Sequence, residues 1–292
     1  MSNFPVSMTT SLPVPLSVPS PLTNADGTRT AIIAAPPRLV NESALLSLRV
    51  PGGLATMGVN GRYFLARCGV QNEAERWSNW QIYLRRPLFG VTAHPGLAAE
   101  EGDLWTLYLP LNDDPGYQWL LQQPVGQAIN LLGPLGKGFT IQPQSRNLLL
   151  LTDAIRAPLL FTLIEIMLDQ GGRVTLLVDG NNEALATLMP LLSIPVEVRQ
   201  ATSETIWTEQ VRELTPWADQ IALALPNAQL PTVAALIRQH RFRVDANFAQ
   251  ALFEADLLCG VGACLACVVP VRDGGYTRAC VHGPVMGLTE VA

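Results

Sequence analysis

The sequence predicts a small antiparallel β-barrel, then a doubly wound α/β domain, then a small cysteine-rich domain. Three observations carry this prediction: short alternating apolar runs in the first half, alternating strand and helix patterns in the second, and four cysteines near the C-terminus. The chain has 292 residues, 48% of them hydrophobic and 15% charged. It is therefore long enough to bury more than one hydrophobic core.

Residues 1–37 are rich in Ser, Pro and Thr and are predicted to form a flexible extension. They lack a basic segment followed by an apolar one, so they do not resemble a signal peptide. The net charge of −5 comes without any basic run, which argues against nucleic-acid binding. The longest apolar stretch, Leu148 to Leu168, is interrupted by charged residues, which argues against a membrane span. A cytoplasmic protein is expected.

Residues 38–142 are predicted to form the barrel. Short apolar or alternating runs follow one another there, with Gly, Pro, Asn and Asp between them, as in barrels and sandwiches of short strands. In Arg62–Val70, for example, alternate residues fall on opposite faces. The predicted strands are Ala44–Val50, Arg62–Val70, Gln81–Leu84, Leu104–Leu109 and Ala128–Leu132.

Residues 143–240 are predicted to form the α/β domain. Asn147–Leu151 is a continuous apolar run, typical of a strand that is buried on both faces. The segment 157–170 then has helical periodicity and ends at Gly171-Gly172. Strand and helix alternate through the rest of the segment, which predicts a parallel sheet with covering helices. The further strands are expected at 173–178, 195–199 and 219–225, and the further helices at 183–192, 203–214 and 231–239.

Residues 241–292 hold four of the five cysteines, spaced Cys259-x4-Cys264-x2-Cys267-x12-Cys280. This matches the C-x4-C-x2-C…C spacing of plant-type [2Fe-2S] sites. Gly260 and Gly262 would let the backbone approach the cluster closely. The fourth cysteine is expected on a strand after the hairpin turn at residues 273–275. A structural zinc site or a set of reduced thiols remains an alternative, although zinc sites favour two C-x2-C pairs.

Several segments together resemble one known family. Cys259–Met286 (CGVGACLACVVPVRDGGYTRACVHGPVM) resembles the cluster domain of the electron-transfer subunit of class 1B dihydroorotate dehydrogenase, within the ferredoxin–NADP reductase superfamily. Leu132–Phe139 (LGPLGKGF) resembles the signature at the junction of the two main domains of that family. Tyr83–Pro87 (YLRRP) and Gly61–Phe64 (GRYF) are similar to its flavin-binding and preceding strands. The resemblance covers residues 40–292.

The resemblance implies a barrel of the flavin-binding type, a sheet domain of the NAD-binding type and a [2Fe-2S] domain. It implies a redox subunit rather than a stand-alone catalyst, in a heteromeric assembly with a catalytic dihydroorotate dehydrogenase subunit or another redox partner. Electrons would pass between FAD, the cluster and that partner. The residues implied for FAD are Arg86, Pro87, Gly116, Gly133 and Gly136, and those implied for the cluster are Cys259, Cys264, Cys267 and Cys280. Cys68 is expected to be a buried core thiol.

The flavin strand departs from the pattern of the family, which places a hydroxyl residue after Arg-Pro-x. Here Phe89 stands in that place, while Arg86 is retained and could face a diphosphate. Gly116 is followed by the bulky Tyr117 and Trp119. These two rings could stack on a flavin or could fill the space that it would occupy.

The segments that correspond to the nicotinamide-binding side depart further from the pattern of the family. The Gly-rich turn of the family is replaced by Thr152-Asp153-Ala154-Ile155-Arg156, although Ala157-Pro158 is retained. The Cys-Gly-Pro of the family near the last parallel strand becomes Ala224-Leu225-Pro226. Because glycines let the backbone approach a pyrophosphate, a weakened or absent NAD(H) site is expected. An alternative interpretation is a divergent iron–sulfur and partner-binding subunit of another redox complex, without a flavin.

Overall fold

The computed structural model describes residues 24–51, 54–55, 58–69, 80–96, 101–192, 196–241, 244–245, 247–272 and 274–291. Most of the predicted N-terminal extension and the first residue of the predicted 273–275 turn lie outside these ranges. Three sheets are present, with seven, six and two strands. No helix within the described ranges is long and apolar enough to cross a membrane.

The first sheet is a closed antiparallel barrel. Six strands form the ring in the order β1-β7-β4-β5-β6-β3, and pairing of β3 with β1 closes it, while β2 extends it beside β3. Inside, Phe64 and Trp105 are fully buried and meet edge to face, with ring centroids 4.8 Å apart. The strands are β1 (Arg29–Ile33), β2 (Arg38–Val40), β3 (Ser43–Val50), β4 (Tyr63–Ala66), β5 (Arg86–His94), β6 (Asp103–Pro110) and β7 (Ala128–Leu135), and helix α1 (Pro115–Leu121) precedes β7.

The second sheet has the order β10-β9-β8-β11-β12-β15, and its first five strands are parallel. Helices cross over between the parallel strands, so the predicted doubly wound α/β architecture is confirmed. Leu148 to Leu151 are buried, as expected for a strand covered on both faces. The strands are β8 (Asn147–Asp153), β9 (Arg173–Asp179), β10 (Glu197–Ala201), β11 (Gln220–Ala224) and β12 (Ala249–Leu252), and the helices are α2 (Phe161–Asp169), α3 (Asn182–Leu188), α4 (Glu204–Leu214) and α5 (Leu230–His240).

The C-terminal segment leaves the second sheet after β12 and returns to it. A small antiparallel hairpin, β13 (Val268–Pro270) and β14 (Tyr276–Arg278), is followed by the short helix α6 (Ala279–His282). Strand β15 (Val285–Gly287) then pairs antiparallel with β12, and α7 (Leu288–Val291) ends the described chain. The cysteine-rich segment is therefore attached to the α/β sheet at both ends.

Three sequence-based boundaries are corrected. Gln81–Leu84 is not a strand: a 3₁₀ turn occupies Trp80–Ile82, and the barrel strand begins at Arg86. Strand β1 lies within the predicted extension 1–37, because Ala31 and Ile33 point into the barrel core. Strand β12 lies within the predicted cluster domain 241–292 but pairs with β11, because all four of its residues are buried in the sheet.

Candidate functional site

The four C-terminal cysteines lie on one excursion from the α/β sheet. Cys259 and Cys264 lie on the loop after β12, and Cys267 directly precedes β13. Cys280 lies in the short helix α6 and not on a strand as predicted, because the chain turns into the helix directly after β14. Cys267 and Cys280 are buried, whereas Cys264 is exposed.

The loop around Cys259 is wound so that its backbone N–H groups point at sulfur. Gly260, Gly262 and Leu265 all have positive φ angles, of 72°, 77° and 59°. Burial raises the pKa of the Cys259 thiol, but N–H bonds from residues 264, 261 and 263 outweigh this effect and lower it below its usual value. Successive N–H groups in such turns form a concave anion-binding surface, as iron–sulfur sites require. The loop therefore suits a thiolate-bound cluster.

The side chains of Cys267 and Cys280 interact with each other. The amide N of Cys280 donates to Cys267 Sγ at 3.4 Å, and burial together with Cys267 raises the pKa of the Cys280 thiol. Within the described residues, no three His, Cys, Asp or Glu side chains converge on a single metal ion. A [2Fe-2S] cluster distributes its four thiolates over two irons.

Tyr63 connects the barrel to this segment. Its side chain is fully buried, and its hydroxyl donates to the backbone oxygen of Cys280 at 3.2 Å. Burial raises the pKa of Tyr63, and the sulfurs of Cys280, Cys267 and Cys259 raise it further. Its ring also lies 5.9 Å from that of Phe89, centroid to centroid. Tyr63 therefore lies between the flavin-type strand and the cysteines.

A cleft of about 950 Å³ runs between the barrel, the α/β domain and the cysteine segment. Its volume is at the upper end of the range for ligand pockets and has room for a dinucleotide such as FAD. Leu258 and Ala266, which adjoin Cys259 and Cys267 in sequence, form part of its wall. Barrel residues on the wall include Arg85, Arg86, Pro87, Phe89 and Tyr108, and α/β residues include Ile155, Arg156, Leu159 and Asn227.

Arg86, which the family resemblance implies for FAD, lies on the cleft wall, but its charge is already paired within the chain. Its Nε donates to Asp114 Oδ1 at 2.7 Å, and its other nitrogens donate to the backbone oxygens of residues 84 and 81. The same Asp114 oxygen accepts the N–H groups of Gly116 and Tyr117 at the start of α1. Burial raises the pKa of Asp114, but the bonds from Arg86 and Tyr117 outweigh it and hold the pKa below its usual value. An incoming phosphate would compete with this carboxylate.

The remaining residues implied for the flavin fall into two groups. Pro87 is on the cleft wall, and its backbone oxygen accepts the Tyr117 hydroxyl at 3.1 Å. Gly116 lies against Arg86: a Cβ there would be 2.9 Å from Arg86 Cγ and Nε. Tyr117 is largely buried and packs against the barrel core, but it also lies on the cleft wall.

Gly133 and Gly136 are not among the residues that line the cleft. A Cβ on Gly133 would lie 2.8 Å from Phe64 Cδ1 and 3.0 Å from the Tyr63 backbone oxygen, inside the barrel. A Cβ on Gly136 would meet the backbone oxygen of Gly283 at 2.6 Å. The structure therefore gives both glycines a packing role, and Gly136 lies at the junction with the cysteine segment.

Some residues of the site carry no sequence signal that marks them in advance. Tyr63 belongs only to the strand motif Gly61–Phe64, and Glu254, which pairs with Arg156 on the cleft wall, belongs to no motif. Cys68, by contrast, is buried as predicted, and burial raises its pKa to about 12. It therefore belongs to the barrel core and not to the cysteine site.

Comparison with known proteins agrees with this geometry. Residues 254–292 match the family described as the iron-sulfur cluster binding domain of dihydroorotate dehydrogenase B. The dihydroorotate dehydrogenase B (NAD(+)) electron transfer subunit of Shouchella clausii (strain KSM-K16) is 28% identical over 72% of this chain and 80% of the relative. The subunit of the same name from Desulforamulus reducens is 24% identical over 82% of this chain and 88% of the relative.

Solved structures show the same fold. The structure of an NADH-dependent reduced ferredoxin-NADP oxidoreductase aligns with a TM-score of 0.65 and 17% identity, over 89% of each chain. A ferredoxin reductase of carbazole 1,9a-dioxygenase aligns with a TM-score of 0.56 and 15% identity, over 77% of this chain and 68% of that one.

The chain thus shares the fold of these solved structures, and its C-terminal residues match an iron–sulfur cluster binding domain. Over most of its length it is similar to the electron transfer subunits of dihydroorotate dehydrogenase B.

Proposed function

We propose that this chain is the electron-transfer subunit of a heteromeric oxidoreductase. Its four C-terminal cysteines would hold a [2Fe-2S] cluster, and the cleft would hold FAD. The observation that carries the proposal is that the cysteine segment forms one wall of the cleft, with Leu258 and Ala266 on its surface. A flavin in the cleft and a cluster in the loop would thus be separated by few residues.

The chain offers specific residues to each cofactor. Cys259, Cys264, Cys267 and Cys280 supply four thiolates, and the N–H groups of the loop would stabilise the negative charge of the cluster. Arg86 would bind the phosphates of FAD in competition with Asp114, and Arg85 is a second cation on the same wall. Phe89 and Pro87 supply apolar surface there. A bound flavin contributes the capacity to exchange electrons singly or in pairs.

The partner in this proposal is a catalytic dihydroorotate dehydrogenase subunit, which places the chain in pyrimidine biosynthesis in the cytoplasm. Support comes from relatives named as electron transfer subunits of that enzyme, which cover most of this chain. The same relatives do not favour the alternative of a subunit without flavin.

Anaerobic purification with quantification of iron, sulfide and flavin tests the cofactors. The proposal expects two irons and two sulfides per chain, as a [2Fe-2S] cluster requires, and one flavin. A chain with cluster but no flavin would favour the alternative subunit, and a chain with zinc would contradict both. Reduction of the cluster by a dihydroorotate dehydrogenase catalytic subunit with dihydroorotate then tests the partner, and absence of this reduction would reject that assignment.

A further inference from the structure

The switch point of the α/β sheet lies between β8 and β11, where the strand order reverses direction. In open α/β sheets, nucleotides bind at the carboxyl ends of the strands at this point. Here the carboxyl ends of β8 and β11 are hydrogen-bonded to each other. The fully buried hydroxyl of Thr152, near the end of β8, donates to the backbone oxygen of Ala224, at the end of β11, at 2.9 Å.

In the turn after β8, where a pyrophosphate would bind, the N–H groups of residues 154–156 are all engaged. The N–H of Ala154 donates to the backbone oxygen of Asp179 at 3.1 Å. Those of Ile155 and Arg156 donate to Asp153 Oδ1 at 3.0 and 2.7 Å. A side-chain carboxylate thus takes the hydrogen bonds that a phosphate would need.

Arg156 completes an internal clasp, which we define as Asp153, Arg156 and Glu254. The guanidinium bonds to Asp153 Oδ2 on one side, and on the other its Nε and Nη2 lie 2.7 and 2.5 Å from Glu254 Oε1. Glu254 is anchored in turn, because its backbone N and O exchange hydrogen bonds of 3.0 and 2.7 Å with the Asn227 side chain. The clasp and Asn227 join the loops that follow β8, β11 and β12.

The barrel covers the same turn from another side. Asn41, at the turn between β2 and β3, donates to the backbone oxygens of Ala154 at 2.9 Å and Ala184 at 3.2 Å. Thr187 donates to the Asn41 side-chain oxygen at 2.7 Å. The space between the β8 turn and helix α3 is therefore bridged by a side chain of the barrel.

The negative charge around the crevice also disfavours the binding of a dinucleotide. Asp179 faces the same turn, and burial together with Asp153 raises its pKa. Around the turn, three carboxylates (Asp153, Asp179 and Glu254) accompany the single cation Arg156, which the clasp already neutralises. The residues present therefore do not fit the pyrophosphate of NAD(H).

We propose that the side chains of the clasp occupy the nucleotide crevice of the α/β sheet, and that this chain exchanges electrons with other proteins and not with NAD(P)H. The inference rests on the proposed electron-transfer function. The clasp closes only the α/β side of the cleft, because Arg86 and the barrel wall remain on the opposite side.

The test measures NADH binding directly, by fluorescence titration of the purified chain without oxygen. The unaltered chain is expected to show no saturable binding up to about 1 mM NADH. In D153G/E254Q, the N–H groups of Ile155 and Arg156 and the Arg156 guanidinium are released. Binding should tighten about tenfold to a hundredfold, as expected for charge-assisted hydrogen bonds to a phosphate. Glu213→Gln is the matched control, because it removes a carboxylate from the Arg199 ion pair on the exposed surface.

Saturable micromolar binding of NADH to the unaltered chain would overturn the inference, as would a double variant that folds but gains no affinity. If D153G/E254Q does not fold, Asp153→Asn, which removes only the charge, replaces it under the same criterion. Because binding is measured without electron transfer, the result holds whether or not flavin is present. Reduction by dithionite, followed through the flavin and cluster absorption bands, separately tests the proposed function.

Discussion

Gly136→Ala tests the junction between the barrel and the cysteine segment. Gly136 has φ of +74°, and a Cβ there would lie 2.6 Å from Gly283 O, 2.8 Å from Pro284 Cδ and 2.9 Å from Tyr63 Cε1. The next residue is fixed as well, because the amide N of Lys137 donates to Gly283 O at 2.5 Å. The substitution therefore pushes against backbone and ring atoms that cannot easily move.

Two effects set the size of the loss. A non-glycine residue in the left-handed region costs about 1–2 kcal/mol, and overpacking a tight contact costs about 1–3 kcal/mol. The unfolding free energy of G136A should therefore fall by about 2–5 kcal/mol. Gly171→Ala is the matched control, because Gly171 has φ of +70° but nothing lies within 4 Å of its Cβ position. The difference between the two variants isolates the packing effect.

The assay is denaturant unfolding followed by circular dichroism, with visible absorbance of the cluster recorded in parallel. G136A is expected to lose cluster absorbance at a lower denaturant concentration than both G171A and the unaltered chain. If G136A and G171A unfold within about 0.5 kcal/mol of each other, the close contacts at the junction are refuted. If G136A loses flavin at unchanged stability, Gly136 is a flavin contact and not a packing position.

Four further predictions concern the cysteines, Asp114 beside the cleft, and Tyr63. Cys264→Ser should abolish the visible absorption of the cluster. Cys68→Ala should retain it, because Cys68 is buried in the barrel core. Retained absorption in C264S would contradict the ligand assignment. Asp114→Asn keeps the helix cap but frees the Arg86 charge, so FAD should bind about tenfold tighter in equilibrium dialysis. Unchanged affinity for FAD would show that the ion pair does not compete with phosphate. The pKa of Asp114 is lowered in the folded chain, so the stability that its charge provides is present above pH about 4 and is lost as the pH falls further. The unfolding curves of D114N and the unaltered chain should therefore converge in acid. Tyr63→Phe leaves the Cys280 oxygen without its donor and should lower the unfolding free energy by about 1 kcal/mol, and equal stability would argue against this bond.

The strands of the α/β domain could be predicted because burial on both faces leaves a plain signal. Asn147–Leu151 is continuously apolar, and β8 contains it. The cysteine spacing was equally informative, since four thiolates at fixed intervals have few structural uses. The alternation of strands with helices and the spacing of cysteine ligands are properties of short segments, so they can be predicted from the sequence without knowledge of the fold.

Contacts between distant segments could not be predicted in this way. The strand β12 is only four residues long, and its place in the sheet depends on β11 and β15. The sequence showed that Asp153 and Arg156 replace glycines, but not that Glu254, almost a hundred residues further on, would complete an ion-pair network with them. The sequence offered Arg86 as a candidate phosphate ligand, but its pairing with Asp114 depends on how α1 meets β5.

The pairing of β15 with β12 has a consequence for how the cysteine segment is held. Residues 253–284 form a loop whose two ends are neighbouring strands, so the sheet keeps the ends together. Pairing of the two strands helps to offset the entropy of closing this loop. The two ends of the cysteine segment are fixed by the sheet, and a metal centre would order the residues between them.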